Sequence, residues 1–286
     1  MMIRKRDRKI ESENVIIQKI LIILSIMLLI ASFTLGCDDS VLEGLADDDS
    51  FEAKLEEARI ALDKGEYSTA INLLEALNDA NPGNATIQQY LSNAYAGLAG
   101  LDTFNLLTTI ETLDETGNSG SIDMMGLILG DRNGVLTAAQ LQTKIESIEN
   151  AIHALEGISS PNDDHRVQLG ILAVAHIALT LGDIVVADQG GTSVTLTEEG
   201  LDSQYGNQPA DFSDVDSDTQ NLSELTADLG YLTEAITVLD DSDEGNDLSQ
   251  GFTKFKSGDS SRDKVGIDSD NNGIISETDL ENYINN

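Results

Sequence analysis

The stretch Ala61–Ala99 reads ALDKGEYSTAINLLEALNDANPGNATIQQYLSNAYAGLA, and its apolar spacing decides the fold class. Tyr67, Ala70, Ile71, Leu74 and Leu77 recur every three or four residues, which puts them on one face of a helix. Asn81-Pro82-Gly83-Asn84 is a run of turn formers. Ile87, Tyr90, Leu91, Ala94, Tyr95 and Leu98 then start the period again. Upstream, Phe51, Leu55, Ala58 and Leu62 form an earlier stripe, which Gly65 ends in the manner of a C′ glycine. Downstream, a further helix is expected from Asp102-Thr103 through Phe104, Leu107, Ile110 and Leu113. Aromatics make up only 4% of the chain, tryptophan is absent and prolines number three. An apolar content of mostly Leu, Ile, Val and Ala builds helices with a thin aliphatic core rather than a β-sandwich. The fold class expected is all-α.

Further along, Glu115–Ser121 reads as a loop and Thr137 as the N-cap of a helix carrying Leu141, Ile145, Ile148, Ile152 and Leu155. Pro161 breaks the chain. The next helix, from Val167 through Leu172, Ile177 and Leu181 to Ile184, is apolar on nearly all sides and is expected at the centre of the domain. Residues 188–218 lack a clear period and read as a flexible insert. An amphipathic helix is expected over 219–241, with Leu222, Leu225, Leu229, Leu232, Ile236 and Leu239 on one face. Acidic, glycine-rich sequence follows, and then a last unit over 259–286.

Ala58, Gly65, Tyr67, Ala70, Leu74 and Pro82, followed by Leu91, Ala94 and Tyr95, resemble the tetratricopeptide repeat pattern. One repeat and part of a second are covered, about Phe51–Leu113. The resemblance implies antiparallel helical hairpins and a face that holds a peptide or protein partner. Arrays of this kind need about three units to bury their faces, so the later helices of a 51–187 domain must cap this pair.

Residues 1–36 begin with a basic end, RKRDRK at 4–9, and continue into an apolar run of about 17 residues ending at Gly36, close to the minimum for a spanning helix. That is the pattern of an export signal. Thr34-Leu35-Gly36-Cys37 resembles the bacterial lipobox. This resemblance implies cleavage before Cys37 and acylation there, palmitate-type chains holding the protein to a bacterial membrane, inner or outer, facing the periplasm or exterior. Each buried methylene contributes about 0.8 kcal/mol, so two or three chains anchor firmly. An uncleaved anchor and an ordinary signal peptide are the alternatives. Cys37 is the only cysteine, so no disulfide forms within the chain. Residues 37–50 read as an acidic tether.

The formal net charge is −35, although the leader holds six of the sixteen Lys and Arg. Such a surface repels the phosphates of nucleic acids, which are excluded as partners, and suits cations.

The C-terminal DSDNNGIISETDLENYI falls on the register of an EF-hand loop: Asp268, Asp270 and Asn272 at positions 1, 3 and 5, Gly273 at the turn, Ile274 offering a carbonyl, Ser276 at position 9 and Asp279 at 12. Calcium takes six to eight oxygens, and the glycine allows the turn that points them inward. The pattern resembles the single EF-type, dockerin-like loops of bacterial extracellular proteins, and implies calcium as the bound cofactor. Asp279 in place of a bidentate Glu implies weak affinity, on the order of 10⁻⁴–10⁻³ M. The alternative is an acidic Asn/Asp turn that binds nothing. Asp214, Asp216 and Asp218 begin a similar series, but Thr219 stands where glycine is needed.

His153, His165 and His176 are scattered, and His176, in the apolar helix, reads as a core or boundary histidine rather than a ligand. No HExxH, GxSxG or phosphate-loop motif occurs. Tyr67, Tyr90 and Tyr95 are candidates to line a peptide groove or simply to pack. The function expected is a membrane-anchored lipoprotein acting as a non-enzymatic protein-interaction scaffold with a C-terminal calcium site. The alternatives are a solute-binding or enzymatic envelope lipoprotein and a structural calcium-responsive envelope protein.

Overall fold

The computed structural model describes residues 50–101, 134–206, 208–212, 219–241, 247–260 and 264–285. The expected leader, Cys37, most of the tether, the helix from Asp102 and the acidic series at 214–218 lie outside them. The chain divides into two units, Met1–Ala53 and Lys54–Asn286. Of the first, only 50–53 are described: Ser50 Oγ accepts the Ala53 N–H at 3.1 Å at the start of a helix. Apart from the first residues of the helix that runs on from Phe51, everything below concerns the second.

The protein is all-α. Among the described residues it forms nine helices and one two-stranded sheet: α1 (Phe51–Asp63), α2 (Tyr67–Ala80), α3 (Ala85–Leu98), β1 (Val135–Thr137), α4 (Ala138–Glu156), α5 (Asp163–Asp188), β2 (Ser193–Thr195), α6 (Glu198–Asp202), α7 (Thr219–Asp241), α8 (Asp247–Ser257) and α9 (Glu277–Ile284). Several helices start where a side chain satisfies their free N–H groups. Asn84 Oδ1 accepts from the amides of Thr86 and Ile87 at the head of α3. Thr137 with Gln140 and Asn162 with His165 close reciprocal capping boxes on α4 and α5.

Helix α5 is the axis of the domain. It is long and apolar enough to cross a membrane by length and composition, yet 94% of its most apolar stretch is buried inside the protein. Helix α4 packs along one side of it and α7 along another, while α3 packs on α4 and α2 on α3. The main core gathers Leu141, Ile148, Leu155, Leu172, Ile177 and Leu179 with Leu225, Leu229 and Leu232 of α7. At about 25 cal/mol per Å² of apolar surface buried, contacts of this kind supply most of the favourable free energy of the fold.

Two expectations need correction. The described part of the expected insert, 188–206 and 208–212, holds ordered structure. Strand β2 pairs antiparallel with β1, Val135 opposite Thr195 and Thr137 opposite Ser193. Leu196, Leu201, Tyr205, Ala210 and Phe212 are buried in the core. Isolated apolar residues without helical or strand period conceal this order, because their burial comes from tertiary packing. The acidic sequence before the C-terminal unit likewise contains α8, which places Leu248, Phe252 and Phe255 in the same core.

The C-terminal unit is joined to the helical body. Ile267, Ile275, Leu280, Tyr283 and Ile284 belong to the main core. The Ile275 N–H donates to Thr226 Oγ1 of α7 at 3.1 Å. The amides of Phe212 and Ala210 donate to Glu281 Oε1 and Asn285 Oδ1 of the last helix and its cap, at 2.8 and 2.7 Å.

Candidate metal centres and an aromatic groove

The loop before α9 is built around one carboxylate. Asp268 is fully buried. Its Oδ1 accepts the Asn272 N–H at 3.0 Å and its Oδ2 the Gly273 N–H at 3.2 Å. Bringing those amides onto one side chain needs a tight reversal, which Asn271 (φ 55°) and Gly273 (φ 81°) make in the left-handed region. Asparagine and glycine tolerate that region best. Asp270 accepts from the Asn272 amide and from its Nδ2, the latter at 2.7 Å, while Asn272 Oδ1 accepts the Ile274 N–H at 2.7 Å.

Asp279 closes the loop from the first turn of α9. One oxygen accepts the N–H and hydroxyl of Ser269, and the other those of Ser276. Burial works to raise this carboxyl, but the bonds from Ser269 and Ser276 outweigh it and hold it below the usual carboxylate range. Oxygens of Asp268, Asp270 and Asp279 lie within 4.8 Å of one another. Of the six residues expected as ligands, these three therefore converge. Asn272 lies against Asp270. Ser276 caps α9 through Asp279, and Ile274 is an exposed position (58%) with its amide turned to Asn272.

A second cluster lies between α4, α5 and α7. His176 of α5 is 3% exposed, and so is Asp228 of α7. His176 Nδ1 bonds Asp228 Oδ2 at 2.6 Å. On the ring's other side, Nε2 is buried without a hydrogen-bond partner among the described residues. It stands 3.6 Å from Glu149 Oε1 of α4, whose side chain is 37% exposed. Glu149, His176 and Glu224 each offer a ligand atom within 4.8 Å of the other two. These groups wall a cavity of about 280 Å³ with His153, Glu156 and Tyr231. Burial works against protonating the His176 imidazole, but Asp228 and Glu149 more than offset it, and its pKa is pushed up to about 9. The neighbouring imidazole in turn holds Glu149 below the usual carboxylate range, against the opposing effect of burial.

His176, expected as a core or boundary histidine, is buried with Asp228 on one ring nitrogen and Glu149 beside the other. One signal of this pairing was available in the sequence. Asp228 sits on the buried stripe of α7, three residues after Leu225 and next to Leu229, and an acid on such a stripe is buried only with a partner. The other histidines are local: His165 accepts the Asn162 N–H in its capping box, and His153 pairs with Glu156 at 2.8 Å on the surface.

A third feature is an open groove of about 600 Å³ walled by Arg59, Leu62, Lys64, Tyr67, Tyr90 and Asn93, among others. Gly97 makes room for it. A Cβ there would stand 2.2 Å from the Tyr67 ring, so the absence of one lets that ring pack against α3. Arg59 lies 5.8 Å above the Tyr90 ring and pairs with Glu56 at 3.0 Å. Tyr95 is not part of this groove; its hydroxyl bonds Glu75 at 2.6 Å.

Comparison with known proteins gives no match to a family model, to a curated protein or to a solved structure.

Proposed function

We propose that this chain is a lipid-anchored protein of the bacterial cell envelope that acts as a non-enzymatic interaction scaffold and binds calcium in its C-terminal loop. One observation carries the reading. Three carboxylates converge within 4.8 Å in a loop whose turn is closed by Asn271 and Gly273 at positive φ, at the EF-type spacing of Asp268, Asp270 and Asp279. Hard oxygen ligands on a tight glycine turn are what calcium requires. The ion would also draw together a loop that bonds Thr226 and buries Ile275 in the main core, so calcium would firm the whole domain rather than order a separate tail.

The anchor rests on the lipobox-like sequence ending at Cys37. The scaffold role rests on the tetratricopeptide-like spacing of 51–113 and on the groove with Tyr67 and Tyr90, where a protein or peptide segment would lie against the rings between Arg59 and Lys64. Aromatic and Arg side chains are the groups that dominate such contacts. The alternative of a solute-binding or enzymatic lipoprotein is favoured by the polar cavity around His176, although about 280 Å³ suits an ion and a few waters better than a metabolite.

The test is calcium calorimetry on the chain and on an Asp268→Ala, Asp270→Ala variant, with palmitate labelling of cells carrying the wild type or Cys37→Ser. The reading expects one saturable calcium site lost in the first variant and label lost in the second. Equal, salt-screened heats in both proteins would remove the calcium site, and label retained in Cys37→Ser would remove the anchor.

A further inference from the structure

The cluster around His176 has features that packing alone leaves unexplained. A buried imidazole ordinarily satisfies both ring nitrogens. Here Nδ1 is held by Asp228 at 2.6 Å, while Nε2 is buried without a hydrogen-bond partner among the described residues and stands beside Glu149, with a Glu224 oxygen in the same cluster. The 3.6 Å from Nε2 to Glu149 Oε1 is too long for a hydrogen bond. It is close to the edge of a tetrahedron of ligands, about 3.4 Å when each stands roughly 2.1 Å from a central ion.

We propose that Glu149, His176 and Glu224 form a binding site for a divalent first-row transition ion of the zinc class, with Asp228 as the residue that orients the imidazole.

The donor set selects the ion class. An imidazole nitrogen suits zinc, iron, nickel or copper, whereas calcium and magnesium prefer all-oxygen sites such as the C-terminal loop. The carboxylate on Nδ1 is the usual outer partner of a metal-bound histidine, because it fixes the tautomer that leaves the Nε2 lone pair free to coordinate. The three ligands come from the three helices that form the heart of the fold, Glu149 from α4, His176 from α5 and Glu224 from α7, so the rigid core presets their spacing. Three protein ligands leave a fourth position facing the cavity, where Tyr231 and Glu156 hydrogen-bond each other.

Charge points the same way. Glu149 and Glu156 of α4 and Glu224 and Asp228 of α7 wall the cavity, and among the described residues no Lys or Arg lines it. His153, also on that wall, is paired with Glu156. A divalent ion held by Glu149, His176 and Glu224 would offset part of this negative charge.

The experiment uses the full chain in detergent, stripped with a chelator and returned to saturating calcium so that the C-terminal loop is filled. Zinc is titrated against a chromophoric chelator, and cobalt(II) is added separately as a spectroscopic probe. The expected result is one zinc equivalent, retained in the Asp268→Ala, Asp270→Ala variant and weakened at least tenfold in Glu149→Gln and in Glu224→Gln. Both glutamines replace side chains at the edge of the core, and circular dichroism checks that each variant folds. His153→Ala is expected to bind as the wild type does, and cobalt is expected to give the strong visible bands of a four- or five-coordinate ion. Zinc binding unchanged by both glutamine variants, or lost in His153→Ala, would overturn the assignment. So would a cobalt spectrum matching the six-coordinate aqua ion.

Discussion

Removing Asp228 should expose how His176 is held in the metal-free protein. The two side chains are each 3% exposed and share a 2.6 Å bond. In Asp228→Ala the imidazole keeps its burial and loses its partner. Breaking a buried pair from one side costs about 3–5 kcal/mol, because the remaining charge is left uncompensated. His176→Ala should cost a similar amount for the converse reason. Once one partner is gone, however, removing the other costs little, so the double variant should be less destabilised than the sum by about 2–3 kcal/mol. Replacing both by leucine fills the space with apolar volume and should leave stability near wild type or above it. The assay is urea unfolding at neutral pH with chelator present, with each free energy extrapolated to water. Single variants costing under about 1 kcal/mol, or a double variant equal to the sum within about 0.5 kcal/mol, would show that the bond does not hold the pair and would refute the reasoning.

Further expectations follow from the same packing. Because the folded pKa of His176 stands at about 9 against 6.5 for the free side chain, its contribution is complete below pH 6.5 and is lost as pH rises through 9. At about 1.36 kcal/mol per unit, that is about 3 kcal/mol, measurable by unfolding at several pH values with chelator, and a flat profile between pH 6.5 and 9 would count against it. Gly170→Ala places a Cβ 2.3 Å from the Ala235 Cβ where α5 meets α7. Overpacking of about 3 kcal/mol against about 1 kcal/mol of helix propensity gained leaves a net loss near 2 kcal/mol, or roughly 4–8 °C in Tm. Ala235→Gly in the same chain should restore most of it, and no restoration would mean the two helices do not meet at that point. Thr226→Val removes the acceptor of the buried Ile275 amide and should cost about 1–2 kcal/mol in urea unfolding, whereas an unchanged midpoint would place the C-terminal loop off α7.

The parts of the fold that repeat a local period were legible in the sequence. The stripes of α2, α3, α4 and α7 and the all-apolar α5 each state their own helix, and Thr137 announces the start of α4. Strand β2 and helices α6 and α8 were not, because Val194, Leu201, Phe252 and Phe255 are buried by partners distant in the chain rather than by a pattern of their own. The same division runs through the candidate sites. Asp268, Asp270 and Asp279 lie within twelve residues, and their spacing is itself the chemistry. Glu149, His176, Glu224 and Asp228 come from three helices, and only packing of those helices brings them together. In a chain with 51 acids, no local cue separates such residues from solvated neighbours, except where an acid such as Asp228 interrupts a buried stripe.

The most direct test of the calcium reading locates the ion's effect on the backbone. Amide hydrogen exchange would be followed across 264–285 with and without about 10 mM calcium, some tenfold above the weakest affinity expected. The account predicts that the amides of Asn272, Gly273 and Ile275, which close onto Asp268, Asp270 and Thr226, slow by about tenfold or more when calcium is added, since ligand binding lowers the population of open states. It also predicts no slowing in the Asp268→Ala, Asp270→Ala variant. Exchange in this segment that is the same with and without calcium, or equally slowed in the variant, would contradict it.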